Sequence, residues 1–315
     1  MYRYQRLLVA MSLTDQDQAS ISYAGLVSRL ANSEKVTFMH VTPSLKEIPE
    51  ELQTEYPDLV EASGERAQKK MKELVSKHFP SDHKSILEYQ IVEGSPLIEL
   101  LRRAKEDDKD LVIMGKRLEP AEGSFLPVKL TRRLPCSVLL VPEKSEADFS
   151  NILAPSDFSE NSIDAMDVAV AFASAKGIEE IYCLHAYDVP IGYYKTGKSY
   201  EQFAEIMKGH AEKNFQSFLQ KEVCQIGSVC QIKDLKGIKV TPIYKLEKKA
   251  AKAIEEEINN LKIDLLVIGA RGRHAGAGVL LGSVTEYQIK TTKIPILAVK
   301  KKGTGMNILD ALLKL

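Results

Sequence analysis

The chain has no charge of one sign to spare: 43 lysines and arginines balance 43 aspartates and glutamates over 315 residues. Without a net field it has little to draw it onto nucleic acid or an anionic bilayer, and neither is expected as a partner. Long hydrophobic runs are also missing; none approaches the roughly eighteen apolar residues that span a membrane. The start, MYRYQRLLVAMS, lacks the extended apolar region and small-residue cleavage site of a secretory signal. Cysteine is scarce, and Cys136, Cys183, Cys224 and Cys230 form no CxxC or mixed Cys/His spacing. Cys136 and Cys183 sit in apolar runs and read as small buried hydrophobes of a reducing compartment. Cys224 and Cys230 lie in a surface excursion where a disulfide stays open. These absences lead us to expect a soluble, cytoplasmic protein. Also absent are a Gly-Lys-Ser/Thr phosphate loop, a GxSxG elbow and an HExxH helix. No convincing catalytic set remains, which favours a binding module, or at most a slow nucleotidase.

What is present is repetition. Arg6-Leu-Leu-Val-Ala-Met-Ser12 matches Asn151-Ile-Leu-Ala-Pro-Ser-Asp157, and Val36-Thr-Phe-Met-His40 matches Ile181-Tyr-Cys-Leu-His185. Asp110-Leu-Val-Ile-Met-Gly115 matches Asp264-Leu-Leu-Val-Ile-Gly269, and Pro135–Val141 matches Ile294–Val299. The order is kept and the spacing is similar, so the chain is an internal duplication with a boundary near Glu143–Phe149. In the second half, short apolar runs near 152–155, 180–185, 238–243, 264–268 and 294–299 read as strands. Helical spacing covers 157–175, 203–219 and 248–261. Continuous apolarity suits parallel strands covered on both faces. Each half is therefore expected to be an open, doubly wound five-stranded α/β domain. Such sheets bind ligands at the carboxyl ends of their strands.

The most telling stretch, Asp264 to Thr285, reads DLLVIGARGRHAGAGVLLGSVT. A strand runs into Gly269 and Gly272, and Gly282-Ser283 then opens a helix. Glycines let backbone amides approach a ligand, and a helix start offers unpaired N–H groups with a favourable dipole. Amides around Gly272 and at Gly282, Ser283 and Val284 are expected to meet phosphate oxygens, with hydroxyls from Ser283 and Thr285. The plainer alternative is a connecting loop with Ser283 as a helix cap. Asp157 ends the first strand of the same half. It could bond a ribose hydroxyl or hold a divalent ion, or simply sit at a helix start. Arg271, Arg273 and His274 could meet a γ-phosphate or stay solvated. His40 and His185 recur at the end of the second strand in both halves, which favours a packing role.

With these residues in view, the chain resembles a tandem universal stress protein. The family's G-x2-G-x9-G-S/T signature is matched by Gly269, Gly272, Gly282 and Ser283. Ser283-Val-Thr-Glu286 and Lys293–Val299 match its closing helix and fifth strand, and Ile152–Ser159 its first strand and loop. The resemblance implies two adenine nucleotide alpha hydrolase-like domains, 1–145 and 149–302, with a short helical tail at 303–315. It also implies ATP, with Mg2+, as the ligand of the second domain. Pro155, Ser156 and Asp157 would lie against the adenosine, with Ala186 at the adenine just past the second strand. Ile268, Gly269, Arg271, Gly272, Gly282, Ser283, Val284 and Thr285 would surround ribose and phosphates, and Asp157 would reach the metal through Mg-ATP.

The first half departs from the signature. Gly115 survives, but Leu118 replaces the second glycine, Arg117, Glu119 and Pro120 crowd the turn, and no Gly-Ser/Thr pair precedes Thr131. That half is expected not to bind ATP. It keeps Glu93-Gly-Ser-Pro96 after its third strand, where the second half has Tyr244-Lys-Leu-Glu247. Single-domain members of the family it resembles commonly pair through their fifth strands, so the resemblance implies that the degenerate half pairs intramolecularly, at high effective concentration, with a homodimer left open. The functional expectation is a nucleotide-responsive stress-response binding module with one competent site. The alternatives are a slow ATPase or phosphotransferase, or an interaction scaffold whose first half, near Leu118 and Phe125, takes another small ligand.

Overall fold

A computed structural model describes residues 3–42, 55, 64–117, 126–223, 237–272 and 281–301. Leu118, Glu119, Pro120, Phe125, Cys224, Cys230, Arg273, His274 and the tail 303–315 lie outside the described residues. The chain divides into two compact units, the first running to Asp148 and taking in Lys301, the second spanning Phe149–Lys300.

In the first unit the strands are β1 (Arg6–Met11), β2 (Lys35–Thr42), β3 (Ile86–Glu93), β4 (Leu111–Lys116) and β5 (Ser137–Pro142). The helices are α1 (Asp17–Ala31), α2 (Glu65–His78), α3 (Pro96–Glu106) and α4 (Leu126–Arg133). The strands lie parallel in the order β3-β2-β1-β4-β5. Leu7, Leu8, Val9, Leu111, Val112 and Ile113 are fully buried, as central strands covered on both faces must be. Helix α1 packs so closely that Gly25 has no room for a side chain; a Cβ there would lie 2.1 Å from Pro80 Cδ.

The second unit repeats the plan. Its strands are β6 (Ile152–Leu153), β7 (Glu180–Tyr187), β8 (Lys239–Leu246), β9 (Leu265–Gly269) and β10 (Ile296–Val299). Its helices are α5 (Glu160–Lys176), α6 (Tyr200–Val223), α7 (Ala250–Asn260) and α8 (Ser283–Thr291). The strand order is β10-β9-β6-β7-β8, all parallel. Within each unit this is the doubly wound order expected from the sequence, with the first and fourth strands adjacent at the point where the winding reverses.

The repeated aspartates have a structural role. Asp110 Oδ2 accepts the backbone N–H of Gln5 and Arg6, both at 2.9 Å. Asp264 does the same for Ser150 and Asn151, at 2.9 and 2.8 Å. Each carboxylate thus holds the start of its unit's first strand against the fourth. Cys136 and Cys183 are buried free thiols, and burial pushes the Cys183 thiol up to about 12, leaving it an inert hydrophobe. Among the described residues, no helix is long and apolar enough to cross a membrane.

Candidate functional site

The site begins where β6 stops. Ala154 N–H and Ser156 N–H both donate to β7, at Tyr182 O and Leu184 O, each 2.8 Å. Alternation along a strand directs the intervening residue toward β9, but that residue is Pro155, which has no N–H to give. Pairing of β6 with β9 accordingly ends at Leu153 and Leu266. In the first unit the corresponding pairing of β1 with β4 runs on to Ala10 and Met114. One missing donor parts the two central strands of the second unit at their carboxyl ends.

The loop beyond Pro155 is rigidly held. Ser159 caps α5, its Oγ accepting from Ser162 N–H at 3.4 Å, which is why the helix starts at Glu160 rather than Asp157. Asp157 Oδ1 accepts from Ser162 Oγ at 2.6 Å and from Ser159 N–H at 3.1 Å. Phe158 is left-handed, with φ of 60°, a conformation costing a side-chain-bearing residue about 1–2 kcal/mol. It is held by an N–H bond to Ser156 Oγ at 3.0 Å and by stacking on His185 at 4.3 Å between centroids. His185 Nδ1 in turn sits 2.8 Å from Ser156 O. His40 makes the same bond to Met11 O, also at 2.8 Å. The repeated histidines tie the second strand to the end of the first, in keeping with a packing role.

Across the crevice, β9 delivers the glycines. A Cβ on Gly269 would come 2.8 Å from Asn161 O and 3.0 Å from Asn161 C, both backbone atoms of α5. A Cβ on Gly272 would fall 2.6 Å from Asp157 Oδ2. Gly269 is therefore glycine because it packs on backbone, and Gly272 because it lies against the Asp157 carboxylate. Helix α8 then starts at Ser283, with the N–H groups of Ser283, Val284 and Thr285 in the first turn, where a helix leaves donors without intrahelical acceptors.

All twelve residues singled out from the sequence line one cavity of ≈ 460 Å³: Pro155, Ser156, Asp157, Ala186, Ile268, Gly269, Arg271, Gly272, Gly282, Ser283, Val284 and Thr285. Two of the expected donors are already spent. Gly282 N–H donates to Ala270 O at 2.8 Å, and the buried Thr285 hydroxyl donates to Gly269 O at 2.8 Å. Both bonds hold the loop closed onto β9 rather than facing a ligand. Ala186 lies inside β7, paired with Lys245, not past the strand's end. The counterpart of the Glu93–Pro96 turn also needs correcting. Gly94 N–H bonds Thr42 O and Glu247 N–H bonds Tyr187 O, each at 2.9 Å, so the turn in the second unit begins at Glu247, and Tyr244 to Leu246 belong to β8.

Sequence reasoning missed Ser162, Leu184, Ala250, Ile254, Leu281 and Glu286 as cavity residues. Ala250 and Ile254 had a signal, since residues four apart share a helix face. Ser162 had one too, three residues after a serine cap.

The first unit carries a cavity of ≈ 520 Å³ at the same end of β1 and β4, including Ser12, Asp17, Lys116 and Arg117. There the carboxylate and the hydroxyl have changed places. Ser12 stands where the second unit has Asp157, and Asp17, in the first turn of α1, where it has Ser162. Asp17 Oδ1 accepts from Ser12 N–H at 3.0 Å and Ser12 Oγ at 2.9 Å, and Oδ2 from Leu13 N–H at 2.7 Å and Thr14 N–H at 3.3 Å. Leu13, like Phe158, is left-handed, with φ of 59°. Lys116, buried at 7 % exposure, occupies the position of Ala270. Loss of water around it lowers its pKa to about 8.

A profile described as the Universal stress protein family matches residues 3–142 and again 148–300. The chain belongs to the universal stress protein family.

Its relatives fit the duplication. Universal stress protein MJ0577 of Methanocaldococcus jannaschii is 29% identical over 170 residues, covering 50% of this chain and 98% of that protein. MJ0531 of the same organism is 28% identical over 155 residues, covering 49% and 83% respectively. A universal stress protein structure from Archaeoglobus fulgidus matches 94% of this chain and 98% of its own, with a TM-score of 0.62 and 14% identity. A Pseudomonas aeruginosa protein, PA1789, described as functionally unknown, matches 99% and 98%, with a TM-score of 0.61 and 15% identity. At such identities the likeness concerns the fold. Each universal stress protein unit here corresponds to roughly one whole relative of the shorter kind.

Proposed function

We propose that this universal stress protein binds ATP, with Mg2+, in the cavity of its second domain and acts as a nucleotide-responsive binding module. The observation that carries the reading is the convergence of Asp157, the Gly272 backbone and the first turn of α8 on one cavity of ≈ 460 Å³. A Cβ at Gly272 would lie 2.6 Å from Asp157 Oδ2, so only bare backbone lets the loop and the carboxylate meet at the cavity wall. Phosphates would lie along the loop toward the N–H groups of Ser283 and Val284, where the helix dipole adds to hydrogen bonding. Pro155, Leu184, Ala186 and Ile254 form the apolar wall suited to adenine. Asp157, which lines the cavity, would accept a ribose hydroxyl or a magnesium-bound water. Magnesium would supply charge neutralisation to the phosphates. Among the described residues no group of three or more His, Cys, Asp or Glu side chains could hold a metal, so the ion would arrive with the nucleotide. Charge-assisted bonds contribute about 1.5–3 kcal/mol each, and three or four support micromolar affinity, near 8 kcal/mol.

The first domain does not share this activity in our reading, because the loop amides that open its cavity are already bonded to Asp17. The duplication also supports intramolecular pairing of the two domains at high effective concentration. Family membership and the buried thiols support a stress-response role in the cytoplasm.

Calorimetric titration of nucleotide-stripped protein with Mg-ATP tests the proposal. One site per chain is the expected result. Two sites would overturn the silence of the first domain, and no binding at millimolar ATP would overturn the nucleotide reading.

A further inference from the structure

Between β7 and α6 the second domain carries a turn whose apolar side chains face water. Residues 190–200 read PIGYYKTGKSY, and Ile191, Tyr194 and Tyr200 are 95 %, 65 % and 40 % exposed. Single exposed apolar residues are ordinary on a surface, but three in one short turn form a patch. The turn is well built. Val189 is buried at its base, and Gly192 and Gly197, left-handed with φ of 95° and 73°, bracket one turn of 3-10 helix, Tyr193–Thr196. Tyr193 N–H donates to Pro190 O at 3.2 Å, Lys195 N–H to Gly192 O at 3.0 Å and Gly197 N–H to Tyr194 O at 3.2 Å. The Thr196 hydroxyl donates to Tyr193 O at 2.6 Å. Tyr193 seats the turn on α6, its ring centroid 5.6 Å from that of Tyr200 and 6.4 Å from that of Phe203. Lys195 and Lys198 are exposed, and among the described residues neither is in an ion pair. The flanking carboxylates have local partners: Asp188 Oδ1 accepts Val189 N–H at 2.8 Å, and Glu201 Oε2 accepts Ser199 Oγ at 2.9 Å.

We infer that this turn docks on the surface of an anionic phospholipid bilayer, with Ile191 entering the acyl boundary and Lys195 and Lys198 meeting lipid phosphates. Tyrosine rings with an apolar body and a polar tip suit the headgroup level, where Tyr194 and Tyr200 would lie. The two lysines complement the charge of such a surface. A turn that closes several backbone hydrogen bonds on itself also leaves water at lower cost, because fewer of its polar groups lose a partner. A protein partner is disfavoured by size. Stable protein interfaces take about 800 Å² and 20–30 residues from each side, whereas this patch offers Pro190, Ile191, Tyr194 and Tyr200. Shallow insertion into a bilayer needs no larger surface. The balanced charge of the whole chain gives no long-range attraction, so the contact is local, weak and reversible. None of these residues lines the second domain's nucleotide cavity, and either inference can fail without the other.

The test sediments the full-length chain with vesicles of phosphatidylcholine, alone or mixed in equal parts with phosphatidylglycerol. Binding to the mixed vesicles at low salt, and little to phosphatidylcholine alone, is the expected result. Ile191→Asp should weaken binding by more than about tenfold, and Lys195→Gln and Lys198→Gln by about fivefold each. Circular dichroism of the three variants should match the natural chain, because all three side chains are exposed. The chain has no tryptophan, so Tyr194→Trp supplies a single reporter. Its emission should shift to the blue on binding and be quenched by lipids brominated on the acyl chain near the headgroup. No binding to the mixed vesicles, undiminished binding of Ile191→Asp, or an unquenched tryptophan on bound protein would each overturn the inference. Self-association in solution that Ile191→Asp abolishes, in place of vesicle binding, would assign the turn to a second copy of the chain and overturn it as well.

Discussion

The two domains present the same crevice with opposite wiring. In the second, the carboxylate of Asp157 hangs in the loop, steadied through one oxygen by Ser162, with the other directed at Gly272. In the first, the carboxylate sits on the helix as Asp17 and reaches back to bond three loop amides. The pair of residue types is unchanged and so is the loop's left-handed turn, at Leu13 and Phe158. What differs is how much of the loop's backbone the carboxylate holds: Asp17 accepts three amides, whereas Asp157 accepts that of Ser159 and sets its second oxygen against Gly272. A fold can thus be preserved through a change that rewires its pocket.

The sharpest way to break the comparison is to add a side chain at Gly272. Gly272→Val should lower Mg-ATP affinity more than a hundredfold, since phosphate contacts worth about 1.5–3 kcal/mol each are lost together. Circular dichroism should show the fold kept, with some loss of melting temperature because the Asp157 carboxylate must shift to admit the side chain. Retained affinity would refute the site. Next in size is Asp17→Ala, which leaves the N–H groups of Ser12, Leu13 and Thr14 without their acceptor. A loss of about 2–4 kcal/mol in urea unfolding is expected from the first domain, with ATP affinity unaltered. Exchanging the pair in the second domain, Asp157→Ser with Ser162→Asp, should keep the loop's shape and weaken Mg-ATP about tenfold. Unchanged affinity there would mean that the loop carboxylate is irrelevant.

The smallest effect is a pH dependence from Lys116. Its folded pKa, about 8, lies below the value of 10.5 usual for lysine, so between those values the unfolded chain holds more protons than the folded one. Stability of the first domain should therefore rise with pH across that window, and the cost of the buried ammonium applies in full below it. Asp17, His40, Arg117 and Glu143 share the cavity and are common to the natural chain and a Lys116→Met variant. Stability measured for both from pH 7 to 10.5 should converge as pH rises. A constant difference would remove Lys116 as the cause.

The fold was largely legible because its signals are local. The paired Asp-Leu-Leu/Val motifs, the apolar strand runs and the helical spacings each reflect backbone partners fixed by short-range pattern, and the doubly wound order followed from them. The cavity's lining was legible through glycine spacing. Unreadable were the features that depend on who bonds whom across the loop. Gly282 and Thr285 looked like ligand donors, yet they spend their hydrogens closing the loop on Ala270 and Gly269. The repeat aligns Ser12 with Asp157, but the exchange with Asp17 is not legible, because the two partners lie five residues apart and meet only once the helix has formed. Lys116 gave no signal in the sequence, and its burial is evident only in the folded unit.

The reversed Asp–Ser pair also limits the routes by which one duplicated half can turn into the other. The two arrangements differ at two positions, so any single substitution leads through an intermediate. With aspartate at both positions, two carboxylates would share a space now spanned by a hydrogen bond of 2.6 to 2.9 Å, and neither could ionise freely. With serine at both, one hydroxyl can still donate to the other, and only the charged acceptor is missing. Exchange between the two arrangements is therefore easier through the Ser–Ser state than through the Asp–Asp state.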